Sequence, residues 1–232
     1  MKNRLIKNTP TRWQVLDDPD AVAVETAQRI LQSASRAIAE RNLFRIVLAG
    51  GRTPEAAYRL LVDADTDWSR WEVYFGDERC LPVNDTERNS TMAARALLDS
   101  VAIPDANIHS IPAELGAEAA AEEYEPVIRA AMPFDLVLLG IGEDGHTGSL
   151  FPGQQHPAEQ LVHAVHNAPK PPPDRVTLSV RALSEAHEVL ILATGAGKRA
   201  AIRAWQAGEP VPIAEIGGPA PVDVLLDRAA QP

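Results

Sequence analysis

The sequence predicts an α/β sandwich around a largely parallel sheet. Two observations predict it. Short apolar runs ending in glycine alternate with helical segments that carry one apolar stripe. The strongest runs are continuously apolar, as strands covered on both faces are. A third observation bounds the answer: 232 residues are ample for one hydrophobic core. Residues 1–232 are read as a single domain.

The first predicted element is a helix over residues 20–41. Val22, Ala23, Ala27, Ile30, Leu31, Ala34 and Ile38 fall near one stripe, and Asp18-Pro19-Asp20 supplies a start. FRIVLAGG (44–51) reads as a buried strand, and Thr53-Pro54 opens a second helix through EAAYRLL. WEVYF (71–75) is the next strand. The loop GDERCLPVNDTERNS and the helix TMAARALL follow it. A short strand is expected over 108–111 and a helix over 118–132. FDLVLLGIG (134–142) is the most apolar strand. Residues 176–180 alternate Val and Leu with Thr and Ser, which predicts an edge or half-covered strand. EVLILA (188–193) is buried again, a helix spans 198–207, and a last strand lies within 221–226. NAPKPPPD (167–174) reads as a stiff surface loop.

Composition excludes several functions. Apolar residues make up 45% and aromatics only 5%, so the core is mostly aliphatic. The formal charge of −10 argues against nucleic acid and anionic membranes, which require a basic footprint. An anionic ligand would need a local basic pocket. The one cysteine, Cys80, permits no internal disulfide and fits a reducing cytoplasm. MKNRLIKNTPTRW has no apolar core of signal-peptide length, and no run approaches a membrane span.

In such sheets, ligands gather at the carboxyl ends of the strands. Four strand ends here carry unusual loops. In AGGRTP, Gly50 and Gly51 let backbone approach a ligand, and Thr53 can cap the next helix while free N–H groups face an anion. A plain capped turn is the alternative. In GDER, charged residues directly follow a strand, placing Asp77 or Arg79 against substrate or in solvent. Cys80 reads as a packed small residue rather than a reactive thiol. In LLGIGEDGHTGSLFP, glycines release the backbone beyond Leu139 and present His146, with Asp144 close enough in sequence to orient it. An imidazole titrating near neutrality suits proton transfer, although a turn-capping histidine remains the alternative. Thr147 and Ser149 add polar groups. In ATGAGKR, Lys198 stands at a helix start, where it can reach an anion held by backbone N–H groups. Arg175 is a fifth cation. His163-x-x-His166 could face a metal from one helical side, but nothing completes a metal site. A Ser-His-Asp hydrolase is disfavoured, since no G-x-S-x-G elbow is present.

Together these loops resemble the 6-phosphogluconolactonase family. The matching pieces are LAGGRTPEAAYRLL, GDER with the downstream Asn89-Ser90, LLGIGEDGHTGSLFPG, RVTLS and ILATGAGK, in order over residues 44–200. The resemblance implies a Rossmann-like three-layer fold. It implies hydrolysis of 6-phospho-D-glucono-1,5-lactone to 6-phosphogluconate in the pentose phosphate pathway, without metal or organic cofactor. His146 would be the base that activates water. Arg79, Arg175 and Lys198 would bind phosphate or substrate oxygens, and Gly50, Gly51 and Thr53 would form the phosphate-side loop. Asp77, Asn89 and the Gly142–Gly145 turn complete the expected contacts. Arg52 and Glu55 depart from the family pattern, where a small hydroxyl residue and a lysine are frequent. A cytoplasmic monomer or weak homo-oligomer is expected.

Two rival functions remain. A sugar-phosphate deaminase/isomerase would use the same turn with Asp144 as base, but the SLFP continuation fits the lactonase pattern. A non-catalytic sugar-phosphate sensor would normally carry a DNA-binding segment, which the roughly 40 residues before the first predicted strand do not supply.

Overall fold

The computed structural model describes residues 10–219 and 221–232. Its first elements are β1 (Thr11–Leu16), α1 (Pro19–Arg41), β2 (Phe44–Leu48), α2 (Arg52–Arg59) and β3 (Trp71–Phe75). They are followed by β4 (Asp77–Arg79), α3 (Asn89–Ala96), β5 (Ile108–His109), α4 (Ala117–Ala131) and β6 (Phe134–Gly140). The last are β7 (Val162–Val165), β8 (Arg175–Leu178), α5 (Val180–Ser184), β9 (Ala186–Ala193), α6 (Arg199–Gln206) and β10 (Val222–Asp227).

Seven strands form one sheet in the order β1-β10-β9-β6-β2-β3-β5, and every neighbouring pair is parallel. Helices flank it. The predicted α/β class therefore holds. The continuous apolar runs explain the register. Val47 stands opposite Val137, Val137 opposite Val189, and Val189 opposite Val222, all within the core. Each such buried valine contributes about 1.5–3 kcal/mol. The one charge in the β6 run, Asp135, is neutralised: Arg41 bonds one oxygen (2.6 Å) and the Arg45 backbone N–H the other (2.8 Å).

From β2 the chain runs to β3 and β5 on one side, then returns to β6, β9 and β10 on the other. The direction reverses between β2 and β6. Neighbouring loops part there, opening a crevice at the carboxyl ends.

Three parts of the sequence reading are corrected. GDER is not simply a loop, because Asp77–Arg79 forms β4, at the edge of a second, antiparallel sheet ordered β4-β8-β7. The half-covered strand of 176–180 is instead β8, central in that sheet and buried at all four residues. Its polar face is covered by the 144–150 loop, where the Ser149 N–H donates to the Thr177 hydroxyl (3.3 Å). The chain leaves the strand at Ser179, whose hydroxyl caps α5 by accepting from the Ala182 N–H. Finally, β1 was not foreseen. It is a short edge strand whose stability comes from parallel pairing with β10 and from Trp13 packing edge-on against Trp205, 4.8 Å between centroids. The signal-peptide reading concerns mainly residues 1–9, which lie outside the described residues. Among the described residues no helix is long and apolar enough to cross a membrane.

Glu78 ties the two sheets to α3. Its fully buried carboxylate accepts from the backbone N–H groups of Arg79, Asn89 and Ser90 and from the Ser90 hydroxyl. It also faces the buried Arg88 guanidinium at 3.5 Å. Removing one partner of a buried pair leaves an uncompensated charge. Glu78→Ala is therefore expected to lower stability by about 3–5 kcal/mol in chemical denaturation. A loss below about 1 kcal/mol would show that the pair does not anchor this corner.

Candidate active site

A cleft of about 280 Å³ opens at the β2/β6 crevice. Its lining comes from all four glycine-bearing strand ends: Gly50 to Thr53 after β2, Asp77 and Arg79 in β4, Gly142 and His146 after β6, and Thr194 and Lys198 after β9. Among the described residues, Arg52, Arg79, Lys170, Arg175 and Lys198 are its cations, and Asp77 is the single carboxylate on its wall. A protein of net charge −10 thus concentrates positive charge at this point. A larger groove of about 800 Å³ lies toward the opposite ends of β1, β9 and β10. Its charges are engaged with one another: Arg12 and Arg29 meet Asp223, and Arg29 and Arg36 meet Glu188. Size therefore does not select the site; unneutralised charge does.

Each loop is held from behind by a polar side chain. After β2, the buried Tyr58 hydroxyl bonds both the N–H and the carbonyl of Ala49, at 3.0 and 2.9 Å. Burial raises this phenol's pKa, so it keeps its proton. Gly50 is required by contact rather than conformation. A Cβ there would stand 2.0 Å from Asn89 Oδ1. Thr53 does not cap the helix as expected. The N-cap is Gly51, and the Thr53 hydroxyl instead bonds Thr194 across the cleft floor at 2.7 Å.

Asp77 and Asn89 form a support beneath the cleft. Asn89 Nδ2 donates to the Asp77 carbonyl and carboxylate, and the Ser149 hydroxyl donates to the other carboxylate oxygen at 2.7 Å. Both residues line the wall, yet much of their hydrogen-bonding capacity joins β4, α3 and the 144–150 loop. Arg79 donates from Nη1 to the Glu87 carbonyl, while its buried Nε has no hydrogen-bond partner among the described residues. An unpartnered guanidinium nitrogen on a cationic wall favours an anion. The Asp227 carboxylate accepts from the Gly195 N–H at 3.0 Å and fixes the loop that carries Lys198.

His146 is held on three sides. Its Nδ1 bonds the Asp144 carboxylate, which also accepts from the His146 backbone N–H at 3.2 Å. Its ring lies 4.8 Å from that of Phe151. On the third side is Gly142, where a Cβ would stand 2.0 Å from Nδ1. Nε2 has no hydrogen-bond partner among the described residues. Burial lowers the imidazole pKa, and the Asp144 carboxylate opposes this only in part. Burial also pushes the Asp144 carboxyl upward, but its bonds from the His146 ring and backbone prevail and hold it below the usual range. At neutral pH the pair is therefore a carboxylate and a neutral imidazole. Nδ1–H donates to Asp144, and Nε2 keeps its lone pair.

Other expected residues fall less simply. Asp144 does not line the cleft; its carboxylate bonds the His146 ring and backbone. Gly145 was expected among the substrate contacts but sits behind the turn, where its carbonyl accepts from the Ile213 N–H at 3.0 Å. Its place beside Val211 removes it from the cleft. Arg175 lines the cleft, but Nε and Nη2 donate to the carbonyls of Lys170, Pro171 and Pro172 at 3.0–3.1 Å. His163 and His166 do not share a helical face, because His163 lies in β7 and His166 follows it outside any helix or strand. Buried His163 bonds His156 (3.0 Å), and His166 bonds Asp174 and Glu118. Among the described residues no group of three or more His, Cys, Asp or Glu could hold a metal. Burial pushes the Cys80 thiol up to about 11, so it is protonated and a poor nucleophile at neutral pH.

Three lining or supporting groups were missed. Lys170 was assigned to a surface loop. Thr194 was passed over as part of a glycine-rich turn. Phe151 is adjacent in sequence to the histidine loop, but only the fold shows that its ring touches the imidazole. The Gly142 contact gives a direct test. His146 should titrate below an ordinary histidine by NMR. In Gly142→Ala the displaced ring loses its burial, and its pKa should rise toward 6.5. An unchanged titration would mean that the ring is not seated there.

Known proteins match this architecture. A family model described as glucosamine-6-phosphate isomerases/6-phosphogluconolactonase matches residues 17–225. A 6-phosphogluconolactonase of Streptomyces coelicolor is 38% identical, with 92% of this chain and 90% of that protein covered. One from Mycobacterium leprae is 36% identical over 94% and 96%. The crystal structure of 6-phosphogluconolactonase from Thermotoga maritima superposes with a TM-score of 0.88 at 30% identity, covering 94% of this chain and 100% of that one. The chain belongs to the glucosamine-6-phosphate isomerase/6-phosphogluconolactonase family.

Proposed function

We propose that this protein hydrolyses 6-phospho-D-glucono-1,5-lactone to 6-phospho-D-gluconate, the lactone-opening step of the oxidative pentose phosphate pathway, with His146 activating the water. One observation carries this reading of the site: a neutral imidazole, oriented through Nδ1 by Asp144, stands in a cleft lined by five cations. The lactonase relatives give the substrate its identity.

The chemistry follows from those groups. Water attacks the lactone carbonyl carbon as His146 Nε2 takes one of its protons. The carbonyl π pair moves onto oxygen. When the tetrahedral intermediate collapses, the bond from C1 to the ring oxygen breaks, and the imidazolium returns its proton to that oxygen. Asp144 stabilises the imidazolium between the two steps. Arg79, Lys198 and the Gly50–Thr53 loop hold the phosphate and hydroxyls far from the reacting carbon, so binding energy is used for positioning. A lactone is a reactive ester, so one base and a few charges suffice.

A deaminase/isomerase reading would need Asp144 as the base at the sugar carbon. Its carboxylate is instead tied to His146 and stands off the cleft wall. The cytoplasm suits the substrate and the cysteine-poor sequence.

Three outcomes test the proposal. His146→Ala should lower kcat by about 10²-fold or more without preventing phosphate-ligand binding. Near-normal turnover would remove the base assignment. The base works in its neutral form, and its pKa is lowered. Activity should therefore persist below pH 6.5, with the acid limb of kcat/KM lying beneath the ordinary histidine value. An acid limb above 6.5 would contradict the buried imidazole. Lys198→Ala should mainly raise KM, as expected for lost uniform binding. Unchanged KM would place the phosphate elsewhere.

A further inference from the structure

The proline-rich stretch of residues 167–174 delivers a cation to the cleft. Lys170 lines the same wall as His146 and Lys198, although nothing in its sequence neighbourhood marks it. The loop is closed at its base by the Ala168 N–H donating to the Pro173 carbonyl at 2.9 Å. Inside it, the Arg175 guanidinium donates to three successive carbonyls, those of Lys170, Pro171 and Pro172. Arg175 is 6% exposed, and its guanidinium carbon sits 5.7 Å from the Phe151 ring centroid. Phe151 also packs against the His146 imidazole. One buried aromatic therefore connects the latch of the loop with the base. A four-proline loop fastened this way has little freedom to withdraw its lysine.

We propose that Lys170 is a second catalytic residue, whose ammonium meets the oxyanion formed on the lactone carbonyl, and that Arg175 is the positioning residue that latches Lys170 in place. This rests on the lactonase reading with His146 as base. The step moves no further atoms: water oxygen bonds to carbon, the π pair goes to the carbonyl oxygen, and Lys170 donates a hydrogen bond to that oxygen while keeping its proton. A preorganised donor at the site of developing charge requires little rearrangement during reaction. Electrostatics supports Lys170 over the other cations. The charged groups acting most strongly on the imidazole are Asp144 from its own loop, Asp77 from β4 and Lys170 from the proline loop. Lys170 also acts on Lys198, which in turn feels Arg52. The exposed position of Lys170 at the cleft mouth allows substitution without disturbing the core.

The experiment is steady-state kinetics of the full chain with the lactone across pH, on Lys170→Met, Lys170→Arg, Arg175→Lys and His146→Ala. Lys170→Met should lower kcat by about 10- to 100-fold with little change in KM. It should also move the acid limb of kcat/KM to higher pH, because a positive charge near the imidazole has gone. Lys170→Arg should restore most of both. Arg175→Lys cannot bond three carbonyls at once and should reproduce the kcat loss. Normal kcat in Lys170→Met, a rise in KM alone, or an unmoved acid limb would overturn the assignment of Lys170. Normal kcat in Arg175→Lys would overturn the latch. If His146→Ala is inactive while Lys170→Met is not, only this inference fails. If His146→Ala stays active, the reading beneath it fails.

Discussion

Mutual repulsion among five cations is the constraint on which this site depends. Arg52, Arg79, Lys170, Arg175 and Lys198 surround one cleft, with only Asp77, among the described residues, as a carboxylate on its wall. Left to flexible loops, such charges would spread into solvent. Here, buried or part-buried polar groups restrain the loops from behind: Tyr58, Glu78, Asp227 and Arg175 itself. None of these bonds is worth more than a few kcal/mol. Their effect is geometric, because they fix backbone that would otherwise relax the field. A field of this sign favours a phosphorylated ligand on an otherwise acidic protein.

The imidazole follows the same logic at smaller scale. A histidine in water would be partly protonated near neutrality, and a protonated one cannot accept a proton. Burial between Gly142 and Phe151 removes that state, while Asp144 fixes which nitrogen carries the hydrogen. The two influences oppose each other in the pKa: burial favours the neutral ring, and Asp144 favours the charged one. Gly142 leaves room for the ring, so a residue without a side chain determines where the imidazole stands.

The scaffold does not choose among the chemistries of this family. A parallel sheet with its crossover crevice between β2 and β6 offers a binding place for many ligands. Selection lies in the loops and in the small β4-β8-β7 sheet. That sheet brings Asp77, Arg79 and Arg175 beneath the histidine loop, and Ser149 ties that loop back to Asp77. The opposite end of the sheet also carries charges, but Arg12, Arg29 and Arg36 there are paired with Asp223 and Glu188.

The sequence by itself determined the α/β class, because continuous apolar runs such as Leu136–Leu139 must be covered on both faces. It also located the four loops, since glycines beside charged residues after such runs have few other uses, and it singled out His146. What it could not carry was any contact between distant segments. Lys170 looks like a surface lysine until Arg175, five residues away and buried, folds the prolines toward the cleft. Asp77 and Asn89 line the cleft, but their bonds to each other and from Ser149 to Asp77 show only in the fold. β1 and β4 were missed because their pairing depends on β10 and β8, more than 50 residues away. Local pattern records which face a residue wants to bury. Only the tertiary structure decides which charges meet, because that depends on register and loop closure, to which local periodicity is blind.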